Sequence, residues 1–147
     1  MPKPAPIYER VVRKLEPELN TGCLLWNGAV TRDGYGVVNR GYGVPGSLMA
    51  HRVAYEHERG PIPAGLVIDH LCRTPACCNT AHMEIVTSGE NVLRGVCRAA
   101  VNARKTECLN GHPLSGRNLI TSRKGWRNCR ICKNNKNREW MRSYAYK

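Results

Sequence analysis

Eight cysteines and five histidines in a chain of 147 residues constrain the fold more than any other feature, because most of them fall in two tight groups. The first group, within "DHLCRTPACCNTAH", spaces Cys72-x4-Cys77-x4-His82. The second reads Cys108-x3-His112, then sixteen residues, then Cys129-x2-Cys132. The chain has no phenylalanine and only 6% aromatic residues, so a large apolar core is not expected. Chains with thin cores are usually held by metals, disulfides or partners. The N-terminal "MPKPAPIYER" lacks the charged and apolar regions of a secretory signal, which favours metal ligands over a secreted disulfide framework.

The second group supplies three soft sulfurs and one imidazole in two close pairs, a donor set that suits tetrahedral zinc. A redox Cys-x2-Cys pair is the alternative, but no βαβ pattern surrounds it. The first group supplies three ligands and needs a fourth. Cys78 and the distant Cys23 are both candidates. Adjacent cysteines in extended chain point opposite ways, which counts against Cys77 and Cys78 sharing an ion. His70, two residues before Cys72, is a further candidate ligand. Cys97 is left as an ordinary thiol.

Net charge is +12, from 23 Lys and Arg against 11 Asp and Glu, and the excess is greatest in "RKGWRNCRICKNNKNREWMR". Such a field attracts polyanions, with nucleic acid first among them. There is no run of eighteen apolar residues, so no membrane span is expected. The pattern predicts a short helix over 6–16, strands over 23–27 and 35–39 joined by a loop, and a helix over 47–58 capped by Ser47 and stopped at Gly60-Pro61. "GLVIDH" and "MEIVT" predict two further strands. Thr87-Ser88-Gly89-Glu90 has the capping-box pattern and predicts a helix that carries Asn91. Residues 94–107, "RGVCRAAVNARKTE", read as a basic, partly helical linker, and 133–147 as a basic, partly helical tail.

Zinc on the 72–82 loop would pin strands 66–70 and 83–87 as the arms of a hairpin, with His70 at the end of one arm and Asn91 in the helix that follows. An asparagine oxygen and a carboxylate, Asp69, are hard donors that suit one Mg²⁺ beside an imidazole. Such a site can hydrolyse phosphodiesters, with the histidine taking a proton from water and the metal stabilising charge on the phosphate. Asp69 and His70 are adjacent and face apart in a regular strand, so both reach one site only if the strand twists at its end.

"DHLCRTPACCNTAH" followed by "GEN" resembles the HNH, or ββα-metal (His-Me finger), nucleases, and within them the His-Cys box homing endonucleases and related phage HNH proteins. The likeness runs from about Cys23 to Gly95. It implies an α+β fold: a zinc-bound ββα-metal core of antiparallel strands with a C-terminal zinc-binding module. The corresponding domains are 1–22, an N-terminal helical arm; 23–95, the nuclease; and 96–147, the linker, zinc module and basic tail. The resemblance implies His70 as general base, Asn91 and secondarily Asp69 as ligands of one catalytic Mg²⁺, and Asn79 as a brace of the loop. It selects Cys23, Cys72, Cys77 and His82 for one structural zinc and leaves Cys78 as a bystander; the other zinc takes Cys108, His112, Cys129 and Cys132. An arginine on an upstream strand is expected against the scissile phosphate: Arg40, with Arg32 and Arg52 as rivals. Thr80 and Met83 depart from the family's usual proline and leucine without touching a ligand.

The implied activity is a metal-dependent, homing-type endonuclease acting on double-stranded DNA and leaving a 5′-phosphate and a 3′-hydroxyl. The strands around 23–44 are expected in the major groove and the basic tail on phosphates. A low-specificity phage nickase or packaging-associated nuclease is the alternative enzyme. A zinc-stabilised DNA-binding protein without catalysis is the alternative from another class. The expected location is intracellular, in the host-cell cytoplasm if a phage encodes the chain. Palindromic sites match two-fold proteins, so a homodimer is compatible with this reading.

Overall fold

The structure, a computed structural model, describes residues 5–41 and 43–145. Two compact units divide the chain, the first ending at Asn91 and the second beginning at Val92. The division falls inside a helix, four residues before the boundary expected after residue 95.

The first unit opens with α1 (Ile7–Val12), followed by two short antiparallel pairs: β1 (Leu15–Glu18) with β2 (Cys23–Trp26), and β3 (Val37–Asn39) with β4 (Ser47–Met49). The two expected strands are therefore present, but each pairs with a segment not foreseen as strand. The helix expected over 6–16 ends at Val12, and Leu15 turns into β1 opposite Trp26. Pro17 fits an edge strand, which needs no N–H on its open side. Ser47 is not a helix cap. It pairs with Asn39 in β4, and α2 (Ala50–Arg59) starts after Met49 without a side-chain cap. The helix stops at Gly60, whose φ of +94° suits glycine.

Trp26 is the largest side chain in the core and packs with Val11, Val38, Ala50, Ala54 and Cys78. Its indole needs close backbone on both sides: a Cβ on Gly28 or on Gly36 would lie 2.6 Å from ring atoms. The Nε1–H donates to the Ala29 carbonyl at 2.9 Å, so the one polar atom of the ring is satisfied. Residues 5–22 do not stand apart as an arm. Val11 is fully buried, and Ile7 and Leu15 pack against the same core, because apolar groups left in water would forfeit that burial.

The hairpin of β5 (Leu66–His70) and β6 (Met83–Thr87) pairs Leu66 with Thr87 and His70 with Met83. It runs into α3 (Ser88–Arg94), where the Thr87 hydroxyl accepts from the Glu90 N–H at 3.1 Å, as the capping-box pattern predicts.

The second unit holds α4 (Arg98–Arg104), the hairpin of β7 (Leu119–Thr121) and β8 (Arg127–Cys129), and α5 (Arg130–Ala145). Arg127 ties these parts together. Its Nη1 donates to the carbonyls of Asn102, Ala103 and Lys105 at 2.8–2.9 Å, capping the C-terminal end of α4 with a cation. The architecture is mixed α and β with small antiparallel sheets, as expected at the level of class. No helix among the described residues is long and apolar enough to cross a membrane.

Candidate functional site

Cys23, Cys72, Cys77 and His82 bring their donor atoms within 4.8 Å of one another, and so do Cys108, His112, Cys129 and Cys132. Tetrahedral zinc with bonds of about 2.3 Å to sulfur and about 2.0 Å to nitrogen sets sulfur and nitrogen about 3.5 Å apart. Cys23 Sγ and Cys77 Sγ lie 3.6 and 3.7 Å from His82 Nδ1. In the second cluster Cys108 Sγ is 3.5 Å from His112 Nδ1 and 3.6 Å from Cys132 Sγ. Both donor sets fit zinc in chemistry and in spacing. Burial pushes the Cys77 thiol up to about 12, so a dication is what would allow that sulfur to ionise and ligate at neutral pH.

The backbone explains how Cys23 reaches a cluster some fifty residues away. β2 pairs with the zinc loop itself: Trp26 N–H donates to Ala76 O at 2.9 Å and Cys78 N–H to Leu24 O at 2.7 Å. The amide of Asn79 bridges the same join, donating to Gly22 O at 2.8 Å and accepting from Ala81 N–H at 3.0 Å. Cys78 points the other way, into the core around Trp26, and burial raises its thiol to about 12.

His70 ends β5 and is 6% exposed. Its Nε2 lies 3.1 Å from the carbonyl oxygen of Cys77. A carbonyl only accepts, so Nε2 carries the proton and the lone pair resides on Nδ1. Burial lowers the pKa of His70, opposed by the Cys77 carbonyl and the charge of Asp69. The ring is therefore neutral at pH 7, with one basic nitrogen free of that hydrogen bond.

Asp69, 2% exposed, accepts from Arg73 Nη1 at 2.6 Å. Arg73 reaches back because the chain turns sharply there: its N–H donates to His70 O at 3.0 Å and its φ is +57°. A non-glycine residue in this left-handed region marks a turn held by its surroundings. Asn91 is the fourth residue of α3 and half-buried. Asn91 offers an amide oxygen and Asp69 a carboxylate, both hard donors. Arg40 follows β3 and is exposed, as are Arg32 in its loop and Arg52 on α2, where Arg52 meets Glu56 at 3.8 Å. Nothing in their contacts sets one of the three apart.

Two neighbours of His70 were not foreseen from the sequence. The ring of His51, on α2, lies 4.9 Å from that of His70, edge to face, and the ring of Tyr35 lies 5.9 Å from it. His51 is 7% exposed and its Nδ1 is buried without a hydrogen-bond partner. Burial lowers its pKa to about 4, with His70 and Arg52 adding to the effect. The signal available in the sequence was a lone histidine on the apolar face of a helix, which ordinarily marks core.

Comparison with known proteins adds an independent line. A family model described as HNH endonuclease matches residues 48–93. Protein 7.7 of Escherichia phage T7 is 40% identical over 70 residues, covering 47% of this chain and 51% of that protein. The uncharacterized gene 5.3 protein of Enterobacteria phage T3 is 31% identical over 81 residues, 52% of this chain and 80% of that protein. Protein 2.8 of phage T7 is 34% identical over 86 residues, 58% of this chain and 56% of that protein. The chain thus spans little more than half the length of either T7 relative. No solved structure matches.

Proposed function

The chain belongs to the HNH endonuclease family, and on that premise we propose that it is a divalent-metal-dependent endonuclease hydrolysing phosphodiester bonds of double-stranded DNA, with His70 as general base. The observation that carries this reading is the hydrogen bond from His70 Nε2 to the Cys77 carbonyl. It fixes the tautomer and presents Nδ1 as the basic atom, at the end of a strand whose following loop bears zinc ligands. A non-catalytic binding module has no need of a neutral, oriented imidazole there.

His70 Nδ1 takes the proton from a water that attacks phosphorus in line, the bond to the 3′ oxygen breaks, and that oxygen takes a proton from solvent water, leaving a 5′-phosphate and a 3′-hydroxyl. Asn91, with Asp69 beside it, would hold the catalytic Mg²⁺, which when bound offsets negative charge on the phosphate and the leaving oxygen. Arg73 holds the Asp69 carboxylate in place. Arg40 would complete the charge balance against the non-bridging oxygens. Zinc held by Cys23, Cys72, Cys77 and His82 would order the loop that follows His70, and zinc held by Cys108, His112, Cys129 and Cys132 would order the second unit.

The test is cleavage of supercoiled plasmid with and without Mg²⁺. Nicking or linearisation that requires Mg²⁺ is expected, and Asn91→Ala should shift the Mg²⁺ titration to higher concentration. DNA binding without any cleavage would reduce the protein to a zinc-stabilised binding module. An unaltered titration would remove Asn91 from the metal site.

A further inference from the structure

α5 is rigidly started and then packs on little. Cys132, in its first turn, belongs to the second metal cluster. Asn118 Oδ1 accepts from Ile131 N–H at 3.1 Å, and Arg130 Nε donates to Arg117 O at 2.7 Å. Beyond that turn no residue of the helix is buried. It carries Arg130, Lys133, Lys136, Arg138 and Arg142 against the single carboxylate of Glu139. That imbalance complements a polyanion rather than a protein groove. Trp140, Met141 and Tyr144 are 58, 62 and 67% exposed.

Asn134, Asn135 and Asn137 are poor helix formers in the middle of this helix. All three are exposed, and none makes a side-chain hydrogen bond among the described residues. Residues that weaken a helix locally, with no compensating contact, mark a functional surface. At 100° per residue, Arg130, Asn134, Asn137 and Met141 share one face, opposite Cys132, with Arg138 at its edge. From Asn134 to Met141 the helix rises about 10 Å, the length of about three base-pair steps.

We propose that α5 is a recognition helix that enters the major groove of duplex DNA and reads about three base pairs through Asn134, Asn137 and Arg138, with Met141 against a thymine methyl. Asparagine pairs two-fold with adenine and arginine with guanine on their major-groove edges. Lys133 and Arg142 lie to either side of this face and meet phosphates. The assignment rests on the duplex-DNA reading above but not on the chemistry of cleavage. It replaces the expectation that the tail only grips phosphates.

The experiment selects bound sequences from a randomised duplex library with the full-length, zinc-loaded protein and no added Mg²⁺, so that binding is read apart from cleavage. The wild type should enrich a block of three or four base pairs attributable to α5. The double variant Asn134→Ala/Asn137→Ala should lose preference in that block and bind the best sequence at least about tenfold more weakly. It should bind random duplex within about twofold of wild type and keep two zinc ions. Lys133→Ala should weaken all sequences alike. If the double variant enriches the same block as the wild type, or the wild type enriches none, the helix does not read bases, and plasmid cleavage would still stand. No duplex binding by the wild type overturns this inference and the DNA partner together. Loss of self-association in Trp140→Ala, beside wild-type selection by the asparagine variants, would make the face a contact between copies and sink the proposal.

Discussion

His70 and His51 are neighbouring rings with different predicted consequences. On the proposed mechanism His70→Ala would remove the proton acceptor but no ground-state contact with DNA, so cleavage should fall by about 10²–10⁴-fold while DNA affinity and metal content stay at the wild-type level. Elemental analysis alongside the plasmid assay checks this, and loss of one zinc would make His70 a ligand instead. His51 is held at about 4, below its ordinary 6.5, chiefly by burial. Below pH 6.5 the unfolded chain protonates this ring while the folded chain does not until about pH 4. The contribution is therefore intact above pH 6.5 and is lost as pH falls toward 4. The loss between pH 7 and pH 4.5 should be about 2 kcal/mol. Denaturant unfolding of wild type and His51→Gln at the two pH values isolates it, since both proteins keep the same zinc ligands. Equal losses in the two would show that His51 titrates normally.

The elements divide into those that local pattern specified and those that pairing specified. β5, β6 and α3 were legible because alternation, apolar runs and a capping box all lie within each segment. β1 and β4 were not. Leu15–Glu18 and Ser47–Met49 are four- and three-residue segments whose conformation is decided by the strand beside them, the usual way in which tertiary context overrides propensity. The backbone bonds from β2 to residues 76–78 give the N-terminal strands a specific dependence on metal. Cys23→Ser should strip one zinc and cripple cleavage despite its distance in sequence from His70, because zinc binding free energy is folding free energy for that join. Cys129→Ser should strip the other zinc and leave residual activity, whereas Cys78→Ser should keep two. Metal content of the three variants decides the assignment: one zinc in Cys78→Ser beside two in Cys23→Ser would reverse it.

For the whole molecule, charge is the property with a measurable reach. A net +12 engaged with duplex DNA releases counterions, so affinity should fall by at least about tenfold between 50 and 200 mM salt, as expected when two or more phosphates are neutralised. Fluorescence anisotropy on a labelled duplex measures it, and an affinity flat in salt would show that the charge serves something else. The thin core, with Trp26 as its largest member, leaves the two clusters to do what packing does in larger domains. Chelation should therefore unfold far more of this chain than loss of two ions from a well-packed protein would.

Residue type and spacing alone specified the whole second Cys/His cluster and three members of the first, the hairpin with His70 at its end, the helix bearing Asn91 and the basic character of the chain. Each of these depends on residue type and short spacing, which a chain carries with it. The packing of the chain settled what spacing had left open between Cys23 and Cys78, in favour of the cysteine that the family resemblance implied, and it alone set Asp69 against Arg73 and Tyr35 and His51 beside His70. These contacts join segments brought together by packing around Trp26 and by turns such as Arg73. Spacing along the chain says nothing about which side chains meet across such a join.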